Sequence, residues 1–392
     1  MINLPPPPGS AAMKSFLFVL LFTGLTAISW GVYGPVLRNG QADMEGSHWR
    51  PFVCVGAAYF VIAIVVPGIL LRLYGEKGQW TSQGTIWSLV AGAAGAIGAL
   101  GIILAFNNRG SPVYVMPLVF GCAPVVNTVY TILSSKGQLK PGPVFIAGLI
   151  LVAAGAVTVL VFKPSPAKAA PVPAEKSVDK EKSAETRKTA TDQHEKTPKD
   201  AAPDHASTSA HGATGPLTVR EMTLVTLFVA MTAFCWGVYG PLLHKGQMLM
   251  QGSRLRPLIC VGVAYFAIAV VVPVLWLQIV GEHGKFTFNG SLWSLAGGAA
   301  GAVGALGIIL AFNFGGKPVY VMPLVFGCAP VVNTGMSLAL AGKAVGEISP
   351  LFYAGLIIVM AGAVTVLVFA PKAGHGPAAK PTTKPKAAEQ PA

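Results

Sequence analysis

The chain has 392 residues, of which 53% are hydrophobic and only 11% charged, against about 25% charged residues in a soluble globular domain. That deficit excludes an ordinary soluble fold and makes a bilayer the simplest solvent for the chain. The formal net charge of +13 does not point to nucleic acid as a partner. Lys and Arg gather in a central linker, a C-terminal tail and short loops instead of on one face of a folded domain.

A helix needs about 20 apolar residues to cross the hydrocarbon core, and ten such runs follow one another. After a Pro-rich stretch, 1–14, predicted to be disordered, the first five cover 15–37, 51–73, 84–106, 112–134 and 143–163. Residues 164–218 are rich in Ala, Pro, Lys, Glu, Ser and Thr. They cannot bury enough apolar surface to offset chain entropy and are predicted to form a disordered linker. The second five runs cover 221–243, 257–279, 290–312, 318–340 and 350–369, and 371–392 reads as a disordered tail. No run has an ionisable residue near its centre, which leaves no evident proton relay and no ionic partner for a strongly charged solute.

The two sets are copies of one unit, 15–163 and 219–370. Trp30-Gly31-Val32-Tyr33-Gly34-Pro35 returns as Trp236-Gly237-Val238-Tyr239-Gly240-Pro241, an offset of 206. Between 84–128 and 290–334, 37 of 45 positions are identical. The first run has the look of a signal peptide behind Lys14. Its internal twin cannot be a cleaved signal, so the first is read as a span too. Five spans per copy is an odd number, so the second copy must enter the membrane upside down. The expected fold is an all-α integral membrane protein, ten transmembrane helices as two inverted five-helix repeats, a signature of secondary transporters. Lys and Arg number 13 on the N-terminal side and 6 in the other side's short loops, with nine more in the linker. This places both termini in the cytoplasm and the linker outside.

Several pairs of residues are candidates for solute contact. Trp30 and Tyr33, with Trp236 and Tyr239, are three apart on one helical face. They serve either as interfacial anchors or as a stacking wall for a ring-bearing solute. Pro117 and Pro124, with Pro323 and Pro330, break the fourth span of each copy. Asn127 and Asn333 follow, and need partners either in another helix or in a cavity. Asn107 and Asn313 end their spans, and Tyr114 and Tyr320 open the next, as helix caps or as a gate. Gly92, Gly95, Gly98 and Gly101, and their twins from Gly298 to Gly307, recur every third residue, which allows close helix packing. The five cysteines all lie in apolar runs, with no CxxC and no Cys/His cluster, so no disulfide framework, metal site or cofactor is expected. No catalytic motif or nucleotide-binding loop occurs, and the chain is not expected to be an enzyme.

Two five-span units, the Trp30-Gly31 pair and the Pro-bearing fourth span resemble the drug/metabolite transporter superfamily, especially its EamA-like members. So does a short loop with Gly346-Glu347 before a Gly-rich fifth span, Gly355 to Gly362. The resemblance covers nearly the whole chain apart from linker and tails. It implies that the first, third and fourth spans of each unit surround a central cavity, which are the spans holding Trp30, Asn107, Tyr114, Asn127 and their twins. The first copy departs from the pattern, with Lys136-Gly137-Gln138-Leu139 where an acidic residue would sit, and the linker is unusually long. The expected function is alternating-access transport of a small neutral or zwitterionic polar metabolite, such as a sugar, nucleoside or amino acid, across a cell membrane. The alternatives are a drug or cation exporter of the same superfamily, a channel, or a membrane scaffold working through its linker. The expected partners are the small-molecule substrate and membrane lipids, with homodimer formation left open.

Overall fold

A computed structural model describes residues 8–135, 140–162, 217–342, 349–369 and 371. Most of the linker and tail, Lys136-Gly137-Gln138-Leu139 and Gly346-Glu347 lie outside the described residues. Among those described there are helices and no strand. We number them α1 (Pro8–Asp43), α2 (Trp49–Tyr74), α3 (Ser82–Asn107), α4 (Pro112–Ser134) and α5 (Pro143–Val161) in the first copy. The second copy holds α6 (Val219–Leu249), α7 (Leu255–Ile279), α8 (Phe288–Asn313), α9 (Pro318–Ala341) and α10 (Pro350–Val368). Eight of them, α1–α4 and α6–α9, are long and apolar enough to cross a membrane. The other two, α5 and α10, are shorter apolar helices of 19 residues.

Local chemistry sets the helix starts. Thr81 and Thr287 accept hydrogen bonds from the amides of Gly84 and Gly290, the N-cap role that suits a short hydroxyl side chain. Proline opens α4, α5, α9 and α10 at a position whose amide has no partner in a helix. The first helix of each copy runs further than the apolar pattern suggests. α1 extends from Pro8 to Asp43 instead of 15–37, and α6 ends at Leu249 instead of 243. Arg38, His244 and Lys245 are therefore helical residues and not loop residues. Two of the three meet protein at their polar ends: Arg38 Nη1 donates to Phe106 O (3.1 Å), and Lys245 Nζ sits 3.5 Å from the centre of the Trp87 ring.

α2 and α7 each contain a π turn, Phe60–Val65 and Phe266–Val271. The Val66 amide reaches back to Val61 O, and the Val272 amide to Ala267 O. Pro67 and Pro273 lie just beyond. In a regular α-turn the proline ring would collide with the carbonyl four residues back; the wider turn moves that carbonyl aside. Tyr59 and Tyr265 are the last α residues before these turns.

The outward surface is apolar. Leu17, Leu21, Leu25 and Ile28 form an exposed stripe along α1, whereas Thr23, Thr26 and Tyr33 are buried. This reverses the pattern of a helix packed in water.

The two copies interleave into a single unit. α1 packs chiefly on α8 and α9, and α6 on α3 and α4; α2 meets α8, and α7 meets α3. Every such contact thus has its counterpart with the copies exchanged. The α1–α8 pair runs antiparallel: Ser15 Oγ donates to Phe314 O (2.7 Å), Thr26 Oγ1 to Gly304 O (3.1 Å), and Thr287 Oγ1 to Asp43 O (3.2 Å). The α3–α6 pair matches it, with Thr81 Oγ1 on Leu249 O (3.1 Å) and Thr232 Oγ1 on Gly98 O (3.1 Å).

The glycine stripe makes this approach possible. A Cβ on Gly98 would lie 2.3 Å from the Trp236 indole, and one on Gly304 2.1 Å from the Trp30 indole. Gly92 and Gly298 meet the backbones of Val261 and Val55 in the same way, at 2.7 Å. Gly98→Ala and Gly304→Ala should each lower the melting temperature, at an overpacking cost of about 1–3 kcal/mol. Gly68→Ala, where nothing lies within 4 Å, should raise it through helix propensity alone, by up to about 1 kcal/mol. Thermal melting of the three variants in one detergent checks the pair of opposite signs.

Candidate functional site

The interleaving brings the first helices of both copies to one cavity. Trp30 and Tyr33 reach it from α1, and Trp236 and Tyr239 from α6; Tyr59 and Tyr265, together with the bare backbones of Gly95 and Gly301, complete the lining. The free space is about 340 Å³ counted out to its mouth, but the rings leave room for little more than a water-sized occupant. The indoles are held at their polar ends: Trp30 Nε1–H donates to Gly301 O (3.2 Å), and Trp236 Nε1–H to Gly95 O (3.3 Å). Each therefore hangs from a helix of the other copy.

The rings are ordered. Trp30, Trp236, Phe120 and Phe326 form a quartet with successive centroids 6.1, 6.1, 5.9 and 6.0 Å apart and near-parallel planes. Tyr59 and Tyr265 stack face to face at 3.6 Å. Tyr33 sets its edge to Trp236, and Tyr239 to Trp30, at 6.0 and 5.9 Å. The Tyr33 and Tyr239 hydroxyls are buried and have no hydrogen-bond partner. A buried hydroxyl left unpaired is costly, and these two line the cavity.

Of the residues predicted from sequence, Trp30, Tyr33, Trp236 and Tyr239 thus come together. The other six do not join them. Asn127 and Asn333 are fully buried, and their amides donate across the copies to Pro318 O (3.1 Å) and Pro112 O (2.9 Å). That makes them ties between α4 and α9. Asn107 and Asn313 are exposed at the ends of α3 and α8, with Asn313 donating to Gly252 O (3.0 Å). The Tyr114 and Tyr320 hydroxyls close the turns before their own helices, onto Arg109 O (3.3 Å) and Gly315 O (3.0 Å). Sequence reasoning missed Tyr59 and Tyr265. The available signal was a tyrosine in mid-run, repeated 206 residues later and followed in both copies by a proline eight residues on.

Two carboxylates, also missed, fasten the two ends of the bundle. Glu76, just past α2, accepts from Ser253 Oγ (2.6 Å) and from the amides of Arg254 (2.7 Å) and Leu255 (3.1 Å), and pairs with the Arg254 and Arg256 guanidinium groups. Glu282, just past α7, accepts from Ser47 Oγ and from the amides of His48 (2.9 Å) and Trp49 (3.4 Å). It also pairs with Arg50 (3.2 Å) and with His48 Nδ1 (2.6 Å). Each carboxylate thereby caps the start of the other copy's second helix, where free amides and the helix dipole favour negative charge. The two latches lie at opposite ends of α2. Burial alone would raise the Glu282 carboxyl, but the hydrogen bonds from His48 and Ser47 outweigh it and hold the group down at about 2; Glu76 is lowered for like reasons.

No protein-family model matches the chain, and no curated protein is similar to it. A crystal structure of another protein matches 93% of this chain and 98% of its own at 17% identity, with a TM-score of 0.48. The class of protein follows from the helices themselves. Eight helices of spanning length and apolarity, with apolar side chains turned outward, define a multi-pass helical membrane protein.

The latches make acid stability a direct readout. A carboxyl held below its usual value stabilises the fold above pH 4.5, and that contribution is lost as pH falls through about 2. The melting temperature should therefore drop as pH is taken from 4.5 towards 2. In Glu282→Gln it should be lower at neutral pH and depend less steeply on acid, as a melting series across that range would record.

Proposed function

We propose that the chain is a secondary transporter with ten transmembrane helices in two inverted five-helix repeats, moving a small neutral or zwitterionic polar solute by alternating access. The observation that carries this is the cavity. It lies where the first helices of both copies meet, every lining residue has a twin 206 positions away, and a latch stands at each end of α2. In this reading each latch holds one end of the bundle together, and releasing one of them opens the site to that side. The antiparallel contacts of α1 with α8 and of α3 with α6 support the opposite threading of the copies. Among the described residues no charged side chain lines the cavity, which favours an uncharged or internally balanced solute over a cation. The layout is the one expected of the drug/metabolite transporter superfamily. In this reading the site presents equivalent residues to both faces, which suits a facilitator or exchanger with modest directional bias. Both termini face the cytoplasm and the linker lies outside.

The test is flux into proteoliposomes from a panel of labelled sugars, nucleosides and amino acids. Trp30→Ala with Trp236→Ala should cut the flux of the transported member at least tenfold while the protein stays folded. Deletion of 166–216 should leave it within about twofold. Unchanged flux in the double variant, or loss of flux in the deletion alone, would remove the proposal. Reporter fusions at residue 190 and at the C-terminus should fall on opposite sides of the membrane.

A further inference from the structure

The cavity is related to itself by exchange of the two copies, and a ligand must answer to that relation. Tyr33 and Tyr239 are 3% and 4% exposed, and their hydroxyls are the cavity's unpartnered polar atoms. Each stands in the same place relative to the opposite indole, Tyr33 at 6.0 Å from Trp236 and Tyr239 at 5.9 Å from Trp30. A ligand with one hydrogen-bond acceptor would satisfy one hydroxyl and leave the other buried and unpaired. A ligand with acceptors on two opposite edges satisfies both at once. The indoles add a constraint on shape. Trp30 and Trp236 are nearly parallel, 28° apart, with centroids separated by 6.1 Å. The cavity now has room for little more than a water-sized occupant, so a ring enters only as the lining moves apart, and a flat ring asks for the least movement. A tetrahedral or bulky group needs far more. The lining offers no counter-charge, so a full charge would be buried without a partner.

We propose that this cavity takes an uncharged, flat six-membered ring with a hydrogen-bond acceptor on each of two opposite edges. The ring lies across the relation that exchanges the copies, against the aromatic lining, with Tyr33 and Tyr239 donating to one acceptor each. The proposal rests on the transport reading for the purpose of the cavity, but it concerns equilibrium binding, which is measured apart from flux.

The symmetry makes a distinctive prediction. For a two-acceptor ligand, losing either hydroxyl removes a bond outright. For a one-acceptor ligand, losing either hydroxyl only removes one of two equivalent poses, at most a twofold effect, and both must be lost before affinity falls further. The full-length chain in nanodiscs is titrated with pyrazine 1,4-dioxide, pyridine N-oxide and N-methylpyridinium, read by tryptophan fluorescence and confirmed by calorimetry. Pyrazine 1,4-dioxide should bind at least tenfold more tightly than either of the others. Tyr33→Phe and Tyr239→Phe should each weaken it about fivefold, the worth of one neutral hydrogen bond, and together about 25-fold. Since neither hydroxyl has a protein partner and each is buried, neither variant should melt below the parent. Absence of dioxide binding, tighter binding of N-methylpyridinium, or single variants within twofold of the parent would each overturn the proposal. Flux that persists while the dioxide fails to bind leaves the transport reading standing; binding of this pattern without any flux does the opposite.

Discussion

Everything in this molecule depends on how closely α3 and α8 let the other copy approach. Their glycines hold no side chain at the points where Trp236, Trp30 and the backbones of Val261 and Val55 press against them. In lipid the driving force between helices is packing and hydrogen bonding, since the tails are as apolar as the side chains. The stripe supplies both: bare backbone for contact, and carbonyls of Gly95, Gly98, Gly301 and Gly304 as acceptors for indole and threonine donors from across the interface. The same residues therefore build the fold and aim the aromatic rings of the cavity.

The two copies agree most closely at the cavity and differ most at the ends. Arg109 of the first copy pairs with Glu221 at 3.2 Å; the corresponding positions, Gly315 and Ser15, replace that ion pair with a neutral bond from Ser15 to Phe314 O. His48 in one latch stands where Arg254 stands in the other. A shared, symmetric centre with unlike ends separates two properties physically. In the transporter we propose, what is bound would be set by residues that match, and which end yields first by residues that do not.

Much of the architecture was legible because it is written in periodic patterns. Apolar runs at 112–134 and 318–340 coincide almost residue for residue with α4 and α9, whose starts are fixed by proline. The internal offset of 206 announced twin sites, and the Trp-Tyr pairs did reach the cavity. Other features have no local signature. The latches join residues 177 and 235 positions apart, and a glutamate in a loop looks the same whether or not a distant helix start receives it. Tyr59 and Tyr265 sit just before π turns, whose extra residue changes the helical phase that a regular period assumes for the rest of the run. Asn127 and Asn333 needed partners on chemical grounds, and the crossing of α4 and α9 supplies backbone carbonyls for their Nδ2 groups, which no local pattern announces.

The interleaving has a consequence for synthesis. Ser15 and Phe314 are 299 positions apart, so at about 5–20 residues per second roughly 15–60 s pass between their emergence from the ribosome. During that interval α1 stands in the bilayer without α8 or α9. Two of its hydroxyls are nonetheless provided for, because Thr23 and Thr26 bond to Val19 O (2.6 Å) and Phe22 O (2.9 Å) of their own helix. Thr26 then shares its hydroxyl with Gly304 O once α8 arrives. Thr23 and Thr26 therefore wait for the second copy with their hydroxyls already paired, whereas the Trp30 indole and Ser15 gain their acceptors only when α8 arrives.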